Sequence, residues 1–505
     1  MSKYIIYILL SVFFIQGLTS CNKTLDVTSE RLSPEENHWQ TIQDTRAGLL
    51  GVYSLSRTAL AANNAHWMYG ELRNGDFTSF NRKDLEAVIT GKLNSSFSLI
   101  QDLSDWRRFY AAINAANVFI EKAPQVLKLD RLYTEENLNM DIAQVKVLRA
   151  FLYFYMTRIW GDVPFITASF DNGSFPNFPT SSQSDILNYF INDVENILTV
   201  IPYRYGVSPL TYYGYTSANR WDGVLMTKIS AYAVLAHMSA LKFDYINTER
   251  YTDLINTEIG LLGSSSTFTS TSALTALGGD GYFYGDKISH LLAFGFNYKY
   301  GEATSDGHIE SLTLASPVLS RAKPDMYVTK DSINQIFTEY GDERFGVDTL
   351  TGQPISKYFE NYNAEIPIFS KIKSLVVNDG TYSKFGSAIV FTRFEELMLL
   401  RAEALAVLHR DVDAVNTLNR VRNIRGLRPY LATGKSNRAI VDAIFAERRR
   451  ELMGEGWRWF DIIRYNKIIG DSNFNSLISS NGIYWPIAES VLQNNNKLVQ
   501  NPYWK

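Results

Sequence analysis

The sequence predicts a mostly α-helical body that carries long loop-rich insertions and a few short strands. Three observations predict it. Helix-period apolar patterns recur along the chain. Two consecutive ones near the C-terminus together occupy about 35 residues, the length of one tetratricopeptide-type helix pair. Between about 262 and 390 the texture changes to Ser/Thr/Gly-rich runs alternating with short β-like stretches and many tyrosines.

The first segment is not part of that body. Lys3 precedes an uncharged apolar run from Tyr4 to Ile15, and Leu18-Thr19-Ser20-Cys21 closes it with small residues, the layout of an export signal. The run is about 12 residues, against the roughly 20 a membrane-spanning helix needs. Residues 1–20 are expected to be a signal peptide. Cys21 is the only cysteine, so no disulfide can form within the chain, and stability outside the inner membrane must come from packing. Leu-Thr-Ser-Cys also resembles a bacterial lipobox, which implies that Cys21 carries the lipid that anchors the protein to a membrane. Two or more acyl chains, at about 0.8 kcal/mol per buried methylene, give a lasting tether. The polar stretch 21–40 reads as the lipidated tether, and 41–505 as one domain.

Helices follow in order. Asp105 to about Lys122 has helical spacing, with Pro124 expected just past its end. Asp141 to Trp160 is apolar nearly all round in its second half, which predicts a buried helix stopped by Gly161-Asp162-Val163-Pro164. Ser184 or Asp185 to about Leu198, and Trp221 to Phe243, are two more. Phe391 to about His409 and Asp411 to Arg425 form the cleanest pair, with Gly426 as a left-handed stop. A further helix runs from about Ser436 to Met453. No repeat of that period runs through the whole chain, so a regular solenoid is not expected.

Composition excludes some functions. Hydrophobic residues make up 46% and charged residues 20%, ordinary for a globular protein, and the net charge of −3 gives no footprint for nucleic acid. The six histidines show no i, i+4 pair and no HExxH arrangement, so no metal is expected. Asp280 and Asp286 flank a Gly-rich turn, but the twelve-residue calcium loop is absent. No phosphate loop, nucleophile elbow or Cys–His pair appears, and no cofactor is expected. Tyrosine and phenylalanine are abundant, at 30 and 29 residues.

Ala446 to Arg464 (AERRRELMGEGWRWFDIIR) places Glu447, Arg448, Arg449, Arg450 and Glu451 around a helix that must also bury Phe445 and Leu452. Some of these charges must be paired in the interior. The block therefore reads as a structural Arg–carboxylate network, not as a catalytic group built on Glu447, Glu451 or Asp461. It resembles the signature of the SusD/RagB nutrient-binding outer-membrane lipoproteins of Bacteroidetes. Arg149 to Phe154 running into Gly161-Asp162-Val163-Pro164 is similar too, as are Asp342-Glu343-Arg344, Arg401-Ala402-Glu403-Ala404 and Leu418 to Arg422. The end of the chain, Trp485-Pro486-Ile487 to Trp504, fits the same pattern.

The resemblance implies a single domain of tetratricopeptide-like helix pairs with a loop-rich ligand-binding face. It implies a surface lipoprotein of the outer membrane that captures an oligomeric nutrient, usually a glycan. It also implies a partner, a SusC-like TonB-dependent barrel, and no bond chemistry. Capture of peptides is the alternative, and a surface glycosidase a second one, needing two carboxylates about 5 or about 9 Å apart. Family motifs do not specify ligand residues. Sugars present C–H faces and hydroxyl rims, so a site wants aromatic faces beside planar polar groups. Two stretches qualify. His66 to Asp76 offers Trp67 and Tyr69 beside Arg73, Asn74 and Asp76. In the variable middle, Tyr282, Tyr284, Phe294, Phe296, Tyr298 and Tyr300 are spaced as a strand with one aromatic face. Packing against the body is the competing reading for both.

Overall fold

A computed structural model describes residues 38–505, apart from 171–174, 208–212, 214–220, 264–267, 298–301, 303–305 and 379–382. Cys21, the signal segment, Tyr298 and Tyr300 lie outside the described residues. Helices dominate. α1 spans Ile42–Ala61, α2 Arg107–Leu129, α3 Glu135–Trp160, α4 Gln183–Glu195 and α5 Lys228–Leu241. α6 spans Tyr245–Glu258, α7 Phe394–Val407, α8 Asp411–Ile424, α9 Asn437–Glu451 and α10 Arg458–Ile469. Consecutive helices joined by a few residues pack against each other: α2 on α3, α5 on α6, and α7 on α8. α6 and α9 then both pack on α7. Most buried apolar residues from Ile42 to Leu498 form one contiguous cluster, and Leu314, Ala315, Leu319, Ile368 and Phe385 form a small second one.

The expected helices are present, with boundaries moved for local reasons. α2 runs through Pro124 to Leu129. Proline removes one backbone donor, but here its ring is exposed while Ala123 and Val126 on the inner face are fully buried, so packing carries the helix onward. The helix expected from Trp221 begins only at Lys228, where Thr227 and Ser230 form a reciprocal capping box. α3 starts earlier, at Glu135, behind Thr134, whose hydroxyl accepts from the Asn137 N–H. Its second half is buried on every side, as the all-round apolar pattern requires. α1, α6 and α10 were not foreseen. α1 starts on a Thr41/Asp44 capping box, and its Gly48 leaves room for the Trp39 ring, which a Cβ would approach to 2.6 Å.

The stretch from 262 to 390 is a series of short helices and strands paired only in twos. The strands with long-range partners are β1 (Phe77–Ser79), β2 (Leu292–Phe294), β3 (Met326–Val328) and β4 (Ile389–Thr392). β1 pairs antiparallel with β3, placing Phe77 opposite Val328, and β4 pairs with β2, placing Ile389 opposite Phe294. The expected aromatic strand shrinks to β2. Tyr282 precedes it in a turn, and Tyr284 makes only a bridge to Ser387.

The charged block is an interior network. Arg344, Arg393 and Arg425 converge on Glu451, at 3.0, 2.8 and 2.7 Å. Arg448 joins Glu396 and Asp461, each at 2.9 Å, and Arg464 joins Glu403 at 2.9 Å. Burial alone would raise the carboxyl of Glu447, but Arg344 at 2.8 Å and then Arg450 hold it down at about 2. Lys371 is buried at the same place, and desolvation lowers its ammonium to about 8. Each charge has several partners, the condition under which ions persist in a low-dielectric interior.

Candidate functional site

The His66–Asp76 stretch sits inside the protein. Trp67 is 2% exposed and Tyr69 fully buried. Trp67 donates its indole N–H to the Gly454 carbonyl at 2.9 Å, and the Tyr69 hydroxyl donates to the Leu103 carbonyl at 2.5 Å. Arg73 donates to the carbonyls of Ile483 and Gly482, at 3.0 and 2.6 Å, and stacks on Trp459. Asp76 accepts from Arg449 at 3.0 Å. Only Asn74 is exposed. The ligand reading of Trp67, Tyr69, Arg73 and Asp76 is therefore corrected: these side chains are buried or half-buried, and their polar atoms are taken up by Gly454 in the α9–α10 turn, by Leu103, by Gly482 and Ile483, and by Arg449 on α9. Tyr282 is likewise buried, its hydroxyl donating to the Ser289 carbonyl at 2.9 Å, and Tyr284 is half-buried.

An open aromatic groove lies elsewhere, between α2, the loop around Phe175 and the C-terminal segment. It has a cavity of about 460 Å³. Trp106 and Tyr110 form one wall, and the Tyr110 hydroxyl donates to the Pro164 carbonyl at 2.6 Å. Phe175 and Phe178 line the opposite side and form a trio with Phe170, at centroid distances of 5.1, 5.7 and 6.1 Å. Phe175 is 54% exposed, an unusual position for a ring of that size.

Asparagines build this groove. Asn114 brackets the Phe170 backbone, accepting from its N–H at 2.8 Å and donating to its carbonyl at 2.9 Å. Asn495 donates to the Phe178 carbonyl at 2.9 Å, and Asn177 to the Asn496 side chain at 3.3 Å. Arg107 is held at the edge by Asp105, both its Nε contacts falling at 3.0 Å or less. The C-terminal segment divides this groove from a smaller cavity of about 280 Å³, lined by Trp160, Asp162, Gln183, Asn481, Tyr484 and Asn501 among others. The exposed Phe175 ring, the half-buried Phe178, asparagine side chains and the Arg107 guanidinium are thus gathered on one surface, backed by the buried rings of Trp106 and Tyr110.

Sequence reasoning missed this site. Its signal is Phe170 to Pro179, where three phenylalanines are spaced by Asn, Gly and Pro. Rings placed among turn-forming residues have no regular face on which to be buried.

No lining residue of the larger groove among those described is a carboxylate. Asp286 and Glu302 face a third cavity of about 240 Å³ together with Arg57. Desolvation and then the Glu302 charge raise Asp286 to about 6, while Arg57 holds Glu302 down against its own desolvation. A Ser–His–Glu constellation also exists, in the wrong order and out of reach. Ser387 lies 2.8 Å from His308 Nδ1 and donates to Glu310 at 2.8 Å. All three are fully buried. Burial keeps any substrate away from the Ser387 hydroxyl, so the trio is an interior hydrogen-bond network and not a nucleophile with its base. Among the described residues no three His, Cys, Asp or Glu gather as a metal site. None of the described helices is long and apolar enough to cross a membrane.

The sequence profile of the SusD family matches residues 354–477. The fold matches a SusD superfamily protein from Bacteroides thetaiotaomicron with TM-score 0.85 and 46% identity, over 93% of this chain and 100% of that one. SusD-like protein P38 from Formosa agariphila is 25% identical over 96% of each chain. Surface glycan-binding protein A from Bacteroides uniformis shares the fold at TM-score 0.62 and 18% identity, covering 92% of this chain and 100% of that one.

Proposed function

Because the chain belongs to the SusD family, we propose that it is a surface lipoprotein that captures a glycan and delivers it, uncleaved, to a transporter. Residues 1–20 direct export, Cys21 takes the lipid, and 21–40 tether the single body 41–505 to the outer membrane. The partner is a SusC-like TonB-dependent barrel. The observation that carries the capture role is the open groove between Trp106, Tyr110, Phe175 and Phe178, with asparagines along its rim. Phe175 and the half-buried Phe178 can stack on sugar C–H faces while amide oxygens accept from hydroxyls.

A peptide is the second reading, favoured by one feature. Several rim amides are already bonded to backbone, as Asn114 and Asn495 are, which leaves the accessible lining largely apolar. Calorimetric titration of residues 22–505 with oligosaccharide and peptide panels separates the two. Saturable glycan binding with no new reducing ends supports glycan capture. Binding of peptides alone replaces it with peptide capture. Release of new reducing ends makes the protein a hydrolase and overturns both.

A further inference from the structure

A fourth cavity shares no residue with the groove. It is about 40 Å³, enclosed by the C-terminal turn of α3, the end of α5 and the inner face of α10. About 10 to 15 Å³ of such space accommodates one water, so it admits a few waters or a small ion and excludes a sugar ring. Among apolar and aromatic side chains its lining holds three cations, Arg158, Arg464 and Lys467, and His237, which burial disfavours as a cation. Two of these already have anions, His237 with Glu396 at 3.1 Å and Arg464 with Glu403 at 2.9 Å.

The other two have none among the described residues. Arg158 is 4% exposed and makes no ion pair there, and its Nε and one terminal nitrogen have no hydrogen-bond acceptor. Rings surround it instead, with Tyr155 and Phe460 centroids at 4.0 Å and Trp457 at 5.5 Å. Desolvation lowers its guanidinium to about 10. Lys467 makes no ion pair among the described residues, sits 5.2 Å from the Phe243 centroid, and is also lowered by desolvation. A buried guanidinium with idle donors is costly to leave unmatched. The nearby carboxylates, Glu396, Glu403 and Asp461, are committed to Arg448 and Arg464.

We propose that this cavity binds one small monoanion, chloride or a carboxylate group, between the Arg158 guanidinium and the Lys467 ammonium. The anion satisfies donors that the rings cannot, and it joins α3 to α10 behind Trp457. Phe243, 37% exposed, and the half-buried Lys467 form its entrance.

Thermal unfolding of residues 22–505 in sodium chloride, sodium acetate and sodium gluconate at equal ionic strength tests this. A saturable rise of a few degrees in chloride over gluconate is expected, with loss of that rise in Lys467→Met, which keeps most of the aliphatic stem. Crystals grown in bromide should show an anomalous peak among Arg158, Lys467 and Trp457. An equal rise in acetate upholds the site and assigns it to a carboxylate-bearing ligand. Identical melting in all three salts overturns the proposal. A bromide peak without any effect in solution marks an adventitious ion only and overturns it too. Groove binding in the same Lys467→Met protein tests the capture role separately.

Discussion

Trp67 donates its indole N–H to the carbonyl of Gly454 at 2.9 Å, joining residues 387 positions apart. Around it, Glu71 accepts from the N–H groups of Gly454 and Gly456, at 2.8 and 2.9 Å, and His66 contacts the Glu455 carbonyl at 3.0 Å. The two glycines have φ of +78° and +80°, the left-handed region that favours glycine. The aromatic stretch after α1 and the α9–α10 turn are thus one structural joint. Trp67→Ala is expected to lower stability by about 3–5 kcal/mol, the cost of emptying a fully packed aromatic site. Urea denaturation measures it. Glycan affinity of the folded fraction should be unchanged, since the ring has no accessible face.

The same joint predicts a smaller change with a large effect. A Cβ on Gly70 would lie 1.8 Å from the Gly456 carbonyl oxygen, which is backbone and has no rotamer to escape into. Gly70→Ala should cost about 3 kcal/mol or more, although alanine is the better helix former. Gly51 lies inside α1 with nothing within 4 Å of its Cβ position. Gly51→Ala should gain about 0.5–1 kcal/mol by the same propensity argument. Denaturant midpoints that moved in the same direction for both variants would refute this reading.

Glu451 collects three guanidiniums, those of Arg344, Arg393 and Arg425. Glu451→Gln keeps the shape and removes the carboxylate the three share, leaving them in a dry site with only their other partners, Asp342, Glu447, Glu395 and Glu455. The expected loss is about 3–5 kcal/mol. High salt should rescue little of it, because buried pairs are poorly screened. Guanidinium is unsuitable for this measurement, since it is itself a salt. Urea curves at low and high sodium chloride give the answer.

Much of this scaffold was legible in the sequence because it follows from periodicity and charge. A helix apolar on every side, as in Phe151 to Trp160, must be buried. Arginines and glutamates packed beside Phe445 and Leu452 must pair. α6 was not legible, because its sequence, Tyr245 to Glu258, is polar and shows a core face only at Tyr245, Thr248, Tyr251, Thr252 and Ile255. Trp67 and Tyr69 misled for a related reason. An aromatic beside Arg, Asn and Asp looks the same whether a ligand or a distant backbone turn takes its polar atoms. Gly454 lies almost the whole chain away, and local spacing carries no information about it. The groove escaped notice because its walls come from α2, the Phe175 loop and the C-terminal segment, which only the fold brings together.

Glu310 offers a pH test. Desolvation raises its carboxyl to about 7, although Ser387 and the Ser374 N–H, at 2.8 and 3.1 Å, stabilise the charged form. Between about 4.5 and 7 the folded protein then holds a proton that the unfolded chain has released, so this group's contribution to stability falls as pH rises through that window. His308, in contact with Ser387 and lowered by desolvation to about 4, acts oppositely, losing stability as pH falls from about 6.5. Glu310→Gln keeps a hydrogen-bonding side chain of the same shape and removes only the first effect. The stability of the variant relative to wild type should therefore climb by up to about 3 kcal/mol from pH 4.5 to 7. A difference that stayed flat across that range would mean Glu310 is charged in the folded state.

The groove makes the sharpest functional prediction. Phe175 is more than half exposed, so Phe175→Ala should leave the unfolding midpoint almost unchanged. If a sugar or side chain stacks on it, affinity should fall about tenfold, the size of one aromatic contact. Asn114→Ala acts differently. It removes both hydrogen bonds that hold the Phe170 backbone, so the phenylalanine trio loses its anchor and binding should weaken without any direct ligand contact. Trp67→Ala supplies the control, destabilising the protein without touching the groove. Calorimetric affinities for the three variants distinguish the possibilities. Loss in Phe175→Ala and Asn114→Ala with full affinity in folded Trp67→Ala places the ligand in the groove. The reverse pattern would return it to the surface around Asn74.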